Sequence, residues 1–195
     1  MHYNKGMNRK KSAHYIFGGM VSFFLLIMVC VIIRPAGLIV NSGISYYGNH
    51  QETLLPFALA FLVNSSLLWW ASSFIGRKSK VDTYLGYILK ISAILMIGIF
   101  LTPHNSNIFD GIHKTFGTTM FSLQIIMAIT IVTYVYRDWV NFLLIMTALF
   151  SGFAALSYLL HTTGYMIEAQ IIFQVSIWSI YIRYLQTDNI KVEKA

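Results

Sequence analysis

Residues 14–33 read HYIFGGMVSFFLLIMVCVII, an apolar run closed by Arg34-Pro35. An α-helix rises 1.5 Å per residue, so about 20 such residues cross a hydrocarbon core about 30 Å thick. Arg9, Lys10 and Lys11 precede the run and give it the outline of a signal peptide. The run is too long for one, and Arg34-Pro35 stands where a small-residue cleavage site belongs, so the segment is expected to be retained as a first membrane span.

Five stretches of the same kind follow, over about 54–75, 83–101, 116–136, 140–160 and 165–184. Lys90 interrupts the third span, and Glu168, Gln170 and Gln174 interrupt the sixth. The expected fold is all-α: one polytopic transmembrane bundle of six helices over residues 1–185, followed by a polar tail at 186–195. Composition agrees, because only 11% of residues are charged and 56% are hydrophobic, where a soluble domain carries about 25% charged residues. The net charge of +7 does not indicate nucleic acid. Its positive residues gather at the ends of apolar runs instead of interleaving with aromatics on a polar face. Cys30 is the one cysteine and lies inside an apolar run, which leaves no disulfide framework and makes inert packing its expected role.

Orientation is read from Lys and Arg, since positively charged short loops stay in the cytoplasm. Eleven of the 14 positive residues lie before the first span, between the second and third, between the fourth and fifth, or after the sixth. Arg34 and Lys114 fall on the other side and Lys90 lies within a span. Both termini are therefore expected in the cytoplasm, with the cell membrane as the site. Trp69, Trp70, Trp139 and Trp178 fall toward the cytoplasmic ends of spans, as interfacial anchors do.

The polar residues divide between the two faces. His50, His104, His113 and His161, with Glu52, Asp110 and Glu168, map to the outer loops or outer span ends. Loop histidines are first of all solvated polar residues. Imidazole with carboxylate is also the usual donor set for zinc and similar divalent ions, which makes His104, His113, His161 and Asp110 the metal candidates. No H-E-x-x-H pattern occurs. Haem is not expected, because a transmembrane electron path needs facing axial ligands at both membrane sides and only His14 and His2 lie toward the inner side.

The first outer loop, Asn41-Ser42-Gly43-Ile44-Ser45-Tyr46-Tyr47-Gly48-Asn49-His50, has the composition of an ordered turn. It either caps the bundle or recognises a headgroup, with the paired tyrosines at headgroup level. A serine nucleophile at Ser42 or Ser45, with His113 or His161 as base, is a minor alternative, since nothing like G-x-S-x-G surrounds either serine.

Ionisable groups at membrane depth are costly. Lys90 lies about two turns from the cytoplasmic end of its span and is expected to snorkel there or point into the bundle. Gln170 and Gln174 are four apart and share a helix face, as helix-bridging groups would, and Asn64, Ser65 and Ser66 are their expected partners.

Ile44-Ser45-Tyr46-Tyr47-Gly48, Pro56, Pro103 and the run His113-Lys114-Thr115-Phe116-Gly117 together resemble a six-helix group. It includes the damage-regulated autophagy modulators, the factors linked to GPI-anchor lipid remodelling, and many prokaryotic proteins. The resemblance implies six helices, cytoplasmic termini and a first outer loop that meets the histidine of the second. Ser45, Gly48 and His113 are the positions it carries over, while Tyr46 stands where an acidic or polar residue is expected.

The leading functional expectation is a membrane protein that binds lipid, or a protein partner or second copy of itself, at its outer face. A metal-assisted hydrolase or lipid-modifying enzyme built on His104, Asp110, His113, His161 and Glu168 is the second reading. A small transporter with Lys90, Glu168, Gln170 and Gln174 along its path is the third, and the absence of an inverted repeat or of matching Gly/Pro-broken spans counts against it.

Overall fold

The computed structural model describes the backbone of residues 3–39, 43–76, 79–102, 107–135, 137–160 and 165–187, and the side chains of these residues outside 3–7, 107–108 and 156–160. All regular structure among them is helical. The long helices are α1 (Tyr3–Ile33), α2 (Gln51–Phe74), α3 (Lys80–Leu101), α4 (Asn107–Thr130), α5 (Trp139–Leu160) and α6 (Met166–Gln186). Short 3-10 turns at Pro35–Ile39 and Gly43–Asn49 link α1 to α2, and a π-helical turn at Ile131–Val135 extends α4. Helices α1 to α4 are long and apolar enough to cross a membrane, and the described part of α5 contributes a shorter apolar helix, Trp139–Ala155.

Helix ends follow local chemistry. Ser79 caps α3 by accepting the Asp82 N–H at 3.0 Å, and Asp138 caps α5 by accepting the Asn141 N–H at 2.7 Å; each satisfies a donor that the first helical turn leaves open. Helices α1 and α4 begin well before the apolar runs at 14 and 116. In α4 the polar opening turns carry an Asp110–Lys114 pair at 2.8 Å across one helical turn.

The packing partners define a ring. Helix α1 packs on α2 and α6, α2 on α3, α3 on α4, and α6 on α5, while α4 touches α5 and α6 only sparsely. The order around the ring is α4–α3–α2–α1–α6–α5, with a loosely packed seam where α4 faces the α5–α6 pair. Large apolar side chains point outward, among them Ile32, Ile94, Phe150 and Phe153. Such an apolar exterior suits lipid as solvent.

One end of the ring is held by buried polar groups. Arg9 donates to the Tyr184 carbonyl at 2.9 Å and lies 3.7 Å from the Asp82 carboxylate, which accepts the Tyr184 hydroxyl at 3.0 Å. The start of α1, the start of α3 and the end of α6 therefore share one end, and the 3-10 turns Pro35–Ile39 and Gly43–Asn49 lie at the other.

Two expectations for aromatic residues are corrected. Trp69, Trp70 and Trp139 are exposed, but Trp178 is only 2% exposed and packs on Phe23 and Phe24. Helix α6 is flanked by α1 and α5, so its mid-helix tryptophan is core and not belt. Tyr47 is likewise fully buried, while Tyr46 is partly exposed.

Candidate functional site

The first loop is fastened to three helices. Thr53 in α2 donates its hydroxyl to the Tyr47 carbonyl at 2.7 Å. Gln170 in α6 accepts the Ile44 N–H through Oε1 at 3.0 Å. Gly43 makes that approach possible: its φ of +60 lies in the left-handed region, and a Cβ there would sit 2.6 Å from the Gln170 amide oxygen. Gly48 is required on space alone, since a Cβ would meet the Phe57 ring at 2.7 Å. Arg34 donates Nε to the Tyr46 hydroxyl at 2.7 Å and pairs with Glu52. Both contacts, the Tyr46 bond foremost, hold its guanidinium pKa above the ordinary value. The His50 ring lies against Tyr46, with centroids 4.4 Å apart. Burial pushes the Tyr47 phenol up to about 12, and its hydroxyl has no hydrogen-bond partner among the described residues.

The loop meets α4 at one point. Ser45 Oγ is 2.6 Å from His113 Nε2. The other ring nitrogen of His113, Nδ1, lies 2.7 Å from the Thr102 carbonyl and 3.2 Å from the Ile99 carbonyl. The Thr102 carbonyl closes α3, whose last turn leaves carbonyls without intrahelical donors, while the Ile99 carbonyl also accepts from Thr102 at 3.4 Å. A carbonyl can only accept, so Nδ1 carries the proton. In the neutral ring Nε2 is then an acceptor and the Ser45 hydroxyl donates to it. His113 thereby joins α4, the end of α3 and the loop, with its tautomer fixed by main chain.

Ser45 and His113 both line a cavity of about 270 Å³ in the middle of the ring. All six long helices contribute to it, with Phe23, Phe61, Met96, Phe121, Phe173 and Trp178 as its apolar wall. Gln170, Gln174 and Trp178 follow one another at four-residue spacing on α6 and present a stripe along it. Gln174 donates to Gln124 Oε1 of α4 at 3.1 Å, and Tyr181 donates to the Gln124 carbonyl at 2.7 Å. Gln174 Oε1 and Trp178 Nε1 are buried without hydrogen-bond partners among the described residues. The space is therefore apolar in bulk, with polar groups at the loop end and a few along one wall.

The remaining sequence candidates fall elsewhere. His104, His161 and Ser42 lie outside the described residues. Asp110 pairs with Lys114. Glu168 is half-buried, with Oε2 lacking a hydrogen-bond partner among the described residues. Among the described residues no three of His, Cys, Asp and Glu converge on a point that could hold a metal ion, so the described part of the zinc donor set does not assemble. Lys90 places its amine 5.4 Å over the Trp69 ring, partly buried between α2 and α3. Cys30 is buried and directs its thiol toward the Thr53 carbonyl at 3.7 Å.

The expected glutamine partners are corrected. Asn64 donates to Met96 Sδ at 3.3 Å and sits against Gly19 of α1, facing α1 and α3 instead of α6. The group that bridges to Gln174 is Gln124, which the sequence reading passed over. Its signal was present, as a lone amide inside the apolar run 116–136. The Thr102 carbonyl left no such signal, since a backbone acceptor at a helix end has no side-chain signature.

Searches against family models, curated proteins and solved structures find no match to this chain.

Proposed function

We propose that this chain is a six-span protein of the cell membrane, with both termini cytoplasmic, that binds a lipid by taking an acyl chain into the central cavity. The observation that carries this reading is the cavity itself: apolar walls from every helix, and polar groups concentrated where Ser45, His113 and Gln170 meet. Small-molecule sites are typically concave and mostly apolar, with a few placed polar groups that set orientation. A lipid has that polarity along its length. The seam between α4 and the α5–α6 pair offers a lateral path from the bilayer.

Helix α6 is the least apolar of the proposed spans because its amides face the cavity and α4 instead of lipid, which reconciles its composition with a membrane setting. The Lys/Arg distribution supports an external position for the cavity's polar end. The likeness of the 44–48 and 113–117 segments to the six-helix group that includes lipid-remodelling factors points the same way.

Purification in mild detergent, followed by native mass spectrometry and lipid extraction, tests the reading. A lipid retained in about one-to-one ratio, and lost when Ala155 on the cavity wall becomes Phe, is the expected result. Protein free of lipid would overturn it. Orientation is tested by single cysteines at Asn49 and Gln186 in a Cys30→Ala background. Only the first is expected to react with a membrane-impermeant maleimide in intact cells, and the reverse would invert the topology.

A further inference from the structure

We infer that Ser45 and His113 form a nucleophile and base that cleave an acyl ester held in the cavity; this rests on the lipid-binding reading above. Three features go beyond a structural tie between loop and helix. The serine hydroxyl is within hydrogen-bond reach of an imidazole nitrogen, at 2.6 Å. That nitrogen is the unprotonated one, because the opposite nitrogen faces the carbonyls of Thr102 and Ile99. And both side chains line the cavity, where an ester could reach them.

A serine needs an adjacent base to act as a nucleophile, and that base needs a third group to fix its tautomer. In the familiar triad a carboxylate performs the last task. Here the C-terminal carbonyls of α3 do so. They also lie at the negative end of the helix dipole, which favours the imidazolium formed when the base takes a proton.

The step balances without any further reagent. Ser45 Oγ attacks the ester carbonyl carbon while its proton passes to His113 Nε2. The tetrahedral intermediate collapses with cleavage of the bond to the alcohol oxygen, and the leaving alcohol takes that proton from His113. The acyl group is now an ester on Ser45. Water then gives its proton to His113 as it attacks the acyl carbon, and the proton returns to Ser45 as the fatty acid leaves. Gln170 also lines the cavity, and its amide NH₂ is the candidate donor for the developing oxyanion. The substrate class is an acyl ester of a lipid, its chain among the aromatic and Met side chains and its alcohol portion toward the loop end.

The test uses the full chain in nanodiscs, an alkyl fluorophosphonate as probe and peptide mapping by mass spectrometry. Ser45 should be phosphonylated. His113→Asn keeps an amide to donate to the Thr102 carbonyl and removes the base, so labelling should fall by about a hundredfold or more. Hydrolysis of 4-methylumbelliferyl octanoate should be lost in His113→Asn and in Ser45→Ala. Retained lipid with no label on Ser45 would overturn the nucleophile and leave lipid binding standing. Equal labelling of wild type and His113→Asn would overturn the base. Absence of retained lipid would overturn the binding reading itself, whatever the label shows.

Discussion

Gln124 and Gln174 meet amide to amide, 3.1 Å apart, across the sparsely packed boundary between α4 and α6. Removing one amide leaves its partner buried and unpaired, which costs about 1–3 kcal/mol, whereas replacing both by apolar groups approaches neutrality. Gln124→Leu and Gln174→Leu should each lower the unfolding midpoint, and the double variant should recover part of the loss. Additive losses in a double-mutant cycle would show that the two amides act independently.

Gly43 is the hinge on which the loop reaches Gln170. Gly43→Ala puts a β-carbon into the left-handed region and against the Gln170 amide, at 2.6 Å. A cost of about 1–2 kcal/mol is expected from the backbone alone. The loop should also become more open to proteolysis, and limited chymotrypsin digestion with cleavage after Tyr46 as the readout checks this. Unchanged stability and digestion would mean the loop does not depend on this turn.

Tyr47 makes a pH-dependent contribution with a definite sign. Burial favours its neutral phenol, raising its pKa from 10.0 to about 12. The folded protein thus binds this proton more tightly than the unfolded chain. The resulting stabilisation is complete below pH 10 and is lost as pH rises toward 12. Tyr47→Phe should flatten this part of the alkaline decline, leaving the contributions of other buried tyrosines. Near pH 7 it should cost little, because the hydroxyl it removes has no partner among the described residues. A loss of several kcal/mol at neutral pH would reveal one.

Trp178 reports on what fills the cavity. With Trp69, Trp70 and Trp139 changed to Phe, emission comes from a tryptophan that is 2% exposed and lines the cavity. Lipids brominated on the acyl chain should quench it, and Ala155→Phe should reduce the quenching. Water-soluble acrylamide should quench it weakly. Strong acrylamide quenching with none from brominated lipid would indicate a water-filled space.

Much of the architecture was legible because the bilayer imposes a simple requirement on sequence. Runs of about 20 apolar residues announce helices, and four of those anticipated are long and apolar enough in the structure. The cap at Ser79 could be read from local chemistry in the same way. What faces what could not. Trp178 and Trp139 are both expected as interfacial anchors, yet one is buried and the other exposed. Only the flanking of α6 by α1 and α5 separates them. Asn64 and Gln124 are both lone amides in apolar runs, and nothing local says which one meets α6.

The sequence by itself determined that the chain is helical and apolar, with its positive charge gathered at the ends of apolar runs, because those properties depend on composition and spacing along one segment. It also singled out Ser45 and His113 as residues to watch. Tertiary structure alone decided that the two meet, that α3 supplies carbonyls to the far side of the imidazole, and that an apolar cavity opens beside them. Those relations join positions 68 and 11 residues apart and depend on ring order and helix phase. A backbone carbonyl is present at every residue, so only the fold can select the one that orients a histidine.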